Sequence, residues 1–493
     1  MKDFASMIKK YKTCDVIKCF ARLSNEIYKK QDEDAILRCS LDIPFLCRSP
    51  SSYFTKKVAV RLSAWDIHNI QYLAIKHSTD HRGTCINNNQ ELATIVNYYR
   101  DYEKNAINLK NLEDSYGGSK YMFGLASEQF RYQNLSWLIQ RFNMNYHILF
   151  GSTLNQIKIN VNEIVKKVVG LSAEEIVEVY LIVQCLCSRN PDILTAPETY
   201  YRRKQETLLT KENIEKVVNY YTVTYEQVRE SFLRGQFFCG KPFVKTKTGI
   251  TLMTNYYLVM MLVADGLYWM VRDYYRDLNS EIFMSSFGNM FEDYFEELLS
   301  HYLNKERYER LSSKGNDRKI ADYKLVFDNV TVLIELKTSL IDLQAKQQNP
   351  DAERIDKYID KTIKKAVTQL HETEKNFVNG ELKNKPTIKF IVLYENLQDP
   401  RFLQHISSYV IKDIKGVYIA TIEDMEFFLD LYMREKDKAE TILVNLIKPQ
   451  KDSYWTLQVE LINMNAVNRQ CSYTAGKINH FGTIMEKLKD ELE

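Results

Sequence analysis

The stretch KIADYKLVFDNVTVLIELKTS, from Lys319 to Ser339, limits the fold of this chain more tightly than any other. Two apolar runs flank Asp328-Asn329, and these residue types tolerate the left-handed backbone of a tight hairpin turn. With those two as the turn, Phe327 pairs with Val330 and Asp322 falls opposite Glu335. Alternation then gathers Ala321, Tyr323, Leu325, Phe327, Val330, Val332, Ile334 and Leu336 on one wholly apolar face, which belongs against a core. The other face carries Ile320, Asp322, Lys324 and Val326 with Thr331, Leu333, Glu335 and Lys337. Two carboxylates about 5 Å apart across a ladder repel each other unless a cation lies between them. A hard divalent ion takes one or two such carboxylates while keeping waters, and Lys337 projects on the same side to hold a water or a phosphate. The competing reading is an edge hairpin whose Lys324 and Lys337 neutralise two solvated carboxylates.

The flanking segments read as an α/β order. A helix, MSSFGNMFEDYFEELLSHYL, precedes the hairpin, and a long helix follows from about Ala352 to Phe377. A strand is expected over Thr387 to Tyr394, a helix near Arg401 to Lys412 and a strand over Gly416 to Ile422. Helix, hairpin, helix, strand, helix, strand implies a mixed sheet flanked by helices. This region spans 281–435; in a C-terminal extension, 436–493, YWTLQVELI reads as a strand and a terminal helix follows, with no role assigned.

Residues 1–280 read as mostly helical. Asn89 onward has helical spacing, and Ser172 with Glu175 has the form of a capping box. Thr210 opens a further helix through TYEQVRESF, and a short hairpin turns at Thr248-Gly249. The scarcity of glycine (16) and proline (9) fits helix rather than disordered chain. A net charge of +3 supplies no global basic field, so contact with nucleic acid must come from local patches. Nine cysteines without regular spacing build neither a disulfide scaffold nor a structural zinc site. The N-terminus lacks an apolar core of signal-peptide length, and the run from Tyr256 to Val271 is shorter than a membrane span. A cytoplasmic protein without a membrane partner is expected.

At Asp322 and Glu335-Leu336-Lys337, on successive strands, the chain resembles the PD-(D/E)XK (restriction endonuclease-like) nuclease superfamily, with Ala321 where the family has proline. The resemblance covers about 284 to 425. It implies a restriction endonuclease-like core and a metal-dependent endonuclease acting on DNA, with RNA not excluded. It also implies a glutamate on the preceding helix, matched by Glu292, and a glutamine on the following one, matched by Gln369. Helical geometry places both at the borders of apolar stripes, while Asp293 and Glu297 point well away. By that resemblance Asp322, Glu335, the Leu336 carbonyl and Glu292 hold Mg²⁺ (or Mn²⁺), Lys337 positions the attacking water, and Gln369 orients Lys337 or a phosphate. A role in restriction or antiviral defence follows by family analogy only.

Lys357, Lys361 and Lys365 recur every four residues toward Gln369 and form a candidate phosphate track or a solvated face. The helical first half is expected to add substrate contacts or to assemble a homo-oligomer or larger complex. The alternative is an idle nuclease fold serving as a nucleic-acid-binding or scaffold component. Three further motifs are set aside. GQFFCGKP has phosphate-loop spacing but Pro242 where the metal hydroxyl belongs, so no nucleotide cofactor is expected. His77, His81 and Cys85 lack a fourth ligand, and YGGSKYMFG reads as a loop between helices.

Overall fold

The computed structural model describes residues 3–30, 39–47, 56–106, 114–133, 135–151, 159–192, 210–311, 320–378, 385–448, 454–467 and 470–492. In the first half, Ser40–Cys47 (β1) and Lys56–Ser63 (β2) pair antiparallel, a hairpin not expected from the sequence. The segment opening at Thr210 is not one helix. Its β-branched TVT leaves the helical path as Thr222–Thr224 (β3), between helices Lys211–Tyr220 and Tyr225–Glu230. That strand lies parallel to Phe243–Lys245 (β4), which pairs antiparallel with Thr251–Met253 (β5). The expected turn sits between β4 and β5, with Gly249 at φ +86° where a side chain would be strained. The capping box of Ser172 and Glu175 is present.

YGGSKYMFG is not a loop. It lies in helix α1 (Ser115–Gln129), whose Asp114 cap accepts from the Gly117 N–H, and whose Lys120 Nζ donates to Asp356 Oδ2 at 2.7 Å. Helix α2 (Trp137–Gly151) and the buried helix α3 (Tyr256–Asp277) pack against each other. No described helix is long and apolar enough to cross a membrane.

Helix α4 (Ile282–Tyr302) leads into Tyr308–Arg310 (β6), Tyr323–Val326 (β7) and Thr331–Lys337 (β8). With Thr387–Leu393 (β9) and Val417–Thr421 (β10) these form a mixed sheet in the order β10-β9-β8-β7-β6. β7 pairs antiparallel with β6 and β8, while β8, β9 and β10 run parallel. The expected register holds: Tyr323 pairs with Ile334, and the Phe327 N–H donates to the Val330 carbonyl at 2.9 Å.

Both faces of the sheet are covered. Tyr323, Leu325, Val332, Ile334, Phe390 and Val392 belong to the main core, where α4 contributes Phe291, Phe295 and Leu298. On the other face Leu333, Ile391 and Leu393 meet a helix α5, built from Ala352–Tyr358, a π-turn Ile359–Ile363 and Lys364–Val378, through Ile359, Ile363 and Leu370. Ala321 belongs to this second cluster, not to the face expected, because the chain bends as it enters β7 and its N–H donates to Thr373 Oγ1 at 2.7 Å.

The expected strand YWTLQVELI is instead the helix Leu457–Asn463. Its Leu457, Glu460 and Leu461 are buried at helical spacing, against helix Ile422–Arg434. The main core runs from Phe4 to Leu488, so packing is continuous across residues 280 and 435.

Candidate functional site

The site lies where β7 stops and β8 continues. β8 has β7 on one side and β9 on the other, so its charged residues are not on a solvated edge. Glu335 is only 2% exposed. Asp322 is the residue before β7. Its N–H donates to the Ile334 carbonyl at 2.9 Å, and its Oδ2 accepts the Leu336 N–H at 2.7 Å. In an extended strand the N–H and C=O of one residue point to the same side, so the Leu336 carbonyl also faces the gap that β7 leaves.

Lys337 Nζ donates to Glu335 Oε1 at 2.5 Å and to Gln369 Oε1 at 3.3 Å. Lys324 lies elsewhere in the charge balance, paired with Glu309 at 2.8 Å. Glu292 approaches from α4, and its charge bears on both Asp322 and Glu335. Five sequence-predicted residues therefore come together: Glu292 from one helical layer, Gln369 from the other, and Asp322, Glu335 and Lys337 from the sheet between them.

The electrostatics are unbalanced. Burial, opposed by the Leu336 N–H and reinforced by Glu292, pushes the Asp322 carboxyl up to about 6. Burial and then the neighbouring Asp322 push Glu335 up to about 8, with Lys337 opposing. Glu335 Oε2 is buried and has no hydrogen-bond partner among the described residues. Two carboxylates and a carbonyl form a hard oxygen set of the kind Mg²⁺ or Mn²⁺ accepts. Among the described residues no group of three His, Cys, Asp or Glu side chains is gathered as a metal site. Glu292 is held back, its Oε2 accepting from Arg310 at 2.6 Å.

Sequence reasoning missed several residues that build this arrangement. Arg310, on β6, also pairs with Asp293 at 3.3 Å and Glu296 at 3.2 Å. Asp293 shares Arg310 with Glu292, while Glu297 accepts from Tyr473 at 3.0 Å and pairs with His147 at 2.6 Å, outside the carboxylate cluster. Tyr323 OH fixes α4 by donating to the Glu292 carbonyl at 3.0 Å. No local pattern marks these partners, because each comes from a different element.

Lys357, Lys361 and Lys365 are all exposed on α5, and Lys365 stands one turn before Gln369. In an α-helix a four-residue step overshoots one turn by about 40°. The wider π-turn between them counters that drift and keeps the lysines nearer one face. The phosphate-loop lookalike is a 3-10 turn, Arg234–Cys239, and its Lys241 Nζ donates to the Tyr220 carbonyl at 2.6 Å. No family model, curated protein or solved structure matches this chain.

Proposed function

We propose that the protein is a metal-dependent nuclease that hydrolyses phosphodiester bonds of DNA, with its reacting groups at the end of β8 in a restriction endonuclease-like core. The observation that carries this reading is the proximity of Asp322 and Glu335, two partly neutralised carboxylates beside the Leu336 carbonyl, with Glu335 Oε2 buried and unpartnered among the described residues and too little positive charge. A divalent ion held by Asp322, Glu335 and Leu336 would supply Lewis-acid charge and lower the pKa of a bound water. Glu292 would join that set after leaving Arg310, or act through water. Lys337, freed from Glu335, would hold the attacking water and offset charge developing on the phosphate. Gln369 keeps the Lys337 ammonium aimed at the site. Lys357, Lys361 and Lys365 would contact the substrate backbone without reading its sequence.

The alternative, an idle nuclease fold acting as a binding or scaffold component, draws on the lack of a gathered three-side-chain metal group among the described residues. Mg²⁺ commonly needs only one or two carboxylates, so that lack weighs little. The test is incubation of the full chain with plasmid, linear DNA and RNA, in Mg²⁺ or EDTA. Cleavage of DNA in Mg²⁺ alone is expected; intact DNA with intact binding would support the idle reading, and cleavage of RNA alone would reassign the substrate.

A further inference from the structure

A cavity of about 350 Å³ lies between the helical half and the sheet. None of Glu292, Asp322, Glu335, Lys337 or Gln369 lines it, so it is separate from the carboxylate cluster. One wall is the pair of loops that leave the carboxyl ends of the parallel strands β8 and β9, at Leu340, Lys346 and Asn396. The opposite wall is α2 and α3, with Trp137 and Trp269. Carboxyl ends of adjacent parallel strands are the usual binding side of such a sheet.

The lining combines flat rings, positive charge and four carboxylates, Asp265, Asp273, Glu395 and Asp399, the last paired with Arg401 at 2.6 Å. Flat rings are plentiful: Trp137, Trp269, Tyr220 and Phe237 all border the space. Positive charge is present in two states. Arg141, Arg276 and Lys346 are each held by a carboxylate, at 3.2 Å to Asp265, 2.7 Å to Asp273 and 2.7 Å to Glu395. Arg131 and Lys241 make no direct ion pair among the described residues, although Glu128 and Asp265 act on Arg131, and Asp273 and Asp277 on Lys241, from a greater distance. Arg131 donates to the Gln236 side-chain oxygen, and Lys241 donates to a backbone carbonyl while lying 3.8 Å over the Tyr220 ring. Four lining side chains also carry a buried polar atom, each able to donate, with no partner among the described residues: Arg131 Nε, Trp137 Nε1, Tyr268 OH and Asn396 Nδ2. Those four atoms are themselves walled off from the space, so the ligand contacts come from the rings and the cationic ends that border it.

We propose that this cavity binds a nucleotide, its base stacked among Trp137, Trp269 and Tyr220 and its phosphate taken by Arg131 and Lys241. Base stacking on aromatic rings and charge-assisted bonds to phosphate are the two recognition modes this lining offers. The volume falls at the lower end of the range for small-molecule sites, which suits one nucleotide and excludes a duplex. Lys241 thus serves a phosphate after all, though not through the backbone cradle that its neighbouring glycines imitate. The nucleotide is either free in solution or one unit of a single strand. Binding does not depend on cleavage, so this site and the proposed nuclease site can fail separately.

Two of the four tryptophans line the cavity, so their fluorescence reports on occupancy directly. The full chain in EDTA is titrated with AMP, a short oligodeoxynucleotide, adenosine and inorganic phosphate. Saturable quenching by AMP or the oligonucleotide is expected, with adenosine and phosphate at least about tenfold weaker. Lys241→Gln should weaken the nucleotide about tenfold, as loss of a charged hydrogen bond does. Trp137→Phe and Trp269→Phe together should remove the quench, whereas Trp455→Phe should retain it. Equal affinity for AMP and oligonucleotide assigns a free nucleotide; a tenfold preference for the oligonucleotide assigns a strand. Absence of quenching up to millimolar nucleotide, or phosphate binding as well as AMP, overturns the proposal. If Lys241→Gln fails to fold by circular dichroism, the tryptophan variants decide.

Discussion

Two buried charge clusters stand on either side of residue 394, and they are built to opposite ends. Tyr394 links them: its N–H donates to the Lys337 carbonyl at 2.9 Å, and its own carbonyl accepts from Arg141 at 2.7 Å. At Arg141 the cation is saturated. It reaches Asp265 at 3.2 Å and Glu423 at 3.3 Å, and its guanidinium lies 4.1 Å over the Tyr394 ring. These acids hold the arginine firmly protonated despite burial, although burial also pushes Glu423 up and leaves its Oε2 without a partner among the described residues. At Asp322 and Glu335 the acids are in excess, and both carboxyls are pushed toward neutrality. Lys337 is the one cation in contact with either of them among the described residues, and Arg310 is shared among three other acids. The first cluster holds elements together. The second sets two carboxyls, pushed up to about 6 and about 8, against a single contacting lysine, and under the proposed function that deficit is what a cation would fill.

The contrast breaks most sharply on substitution. Asp322→Ala and Glu335→Ala should each reduce Mg²⁺-dependent DNA cleavage to background, with the metal-free melting temperature unchanged or raised, because one repelling carboxylate is gone. Cleavage by both variants at the wild-type rate would sink the assignment. Arg141→Ala should do the reverse and destabilise the fold by about 3–5 kcal/mol in denaturant unfolding, since it strands buried acids without their partner. A loss below about 1 kcal/mol would show that the two clusters do not differ in kind.

Lys337→Ala should leave Mg²⁺ affinity nearly intact and slow cleavage about a hundredfold, the usual cost of one preorganised charge stabiliser. A normal rate would make Lys337 a counterion only.

A pH series sharpens the comparison further. Glu335, near 8, titrates above the ordinary glutamate range, so its contribution to metal-free stability is present at acid pH and lost as pH rises through about 8. A bound cation must displace that proton. Between pH 6 and 8 the Mg²⁺ dissociation constant, measured by calorimetry, should therefore fall about tenfold per pH unit. A flat profile would mean that Glu335 is not a ligand. The smallest expected effect is at the α5 lysines. Replacing Lys357, Lys361 and Lys365 by alanine should reduce the salt slope of DNA binding by about 0.9 for each phosphate no longer neutralised; an unchanged slope would make them a solvated face.

Much of the carboxylate cluster was legible in the sequence, because its logic is local. The Asp328-Asn329 turn sets the register of two adjacent strands as far as Tyr323 and Ile334, and that register carries Asp322, at the bend before β7, to the neighbourhood of Glu335. The apolar stripes of α4 and α5 put Glu292 and Gln369 on borders where they can reach the sheet. Helix caps at Ser172 and Thr210 were equally plain, since a cap reaches only three residues along the chain.

What depended on distant partners was not legible. YWTLQVELI alternates like a strand, yet tertiary packing selects the helix that buries Leu457 and Leu461 and lets Glu460 accept from Trp455 Nε1 at 2.8 Å. The partners of Asp293 and Glu297 lie on other elements, Arg310 on β6 and His147 on α2, so the helix's own sequence does not show them. Ala321 changes faces because a bend, not the strand period, sets its direction. Periodicity and turn chemistry act within a few residues, so the order of residues dictates the hairpin, its register and the presence of one carboxylate near the end of each strand. Burial and charge balance sum over elements far apart in the chain, so it takes the packed molecule to enclose those carboxylates and leave them short of a cation.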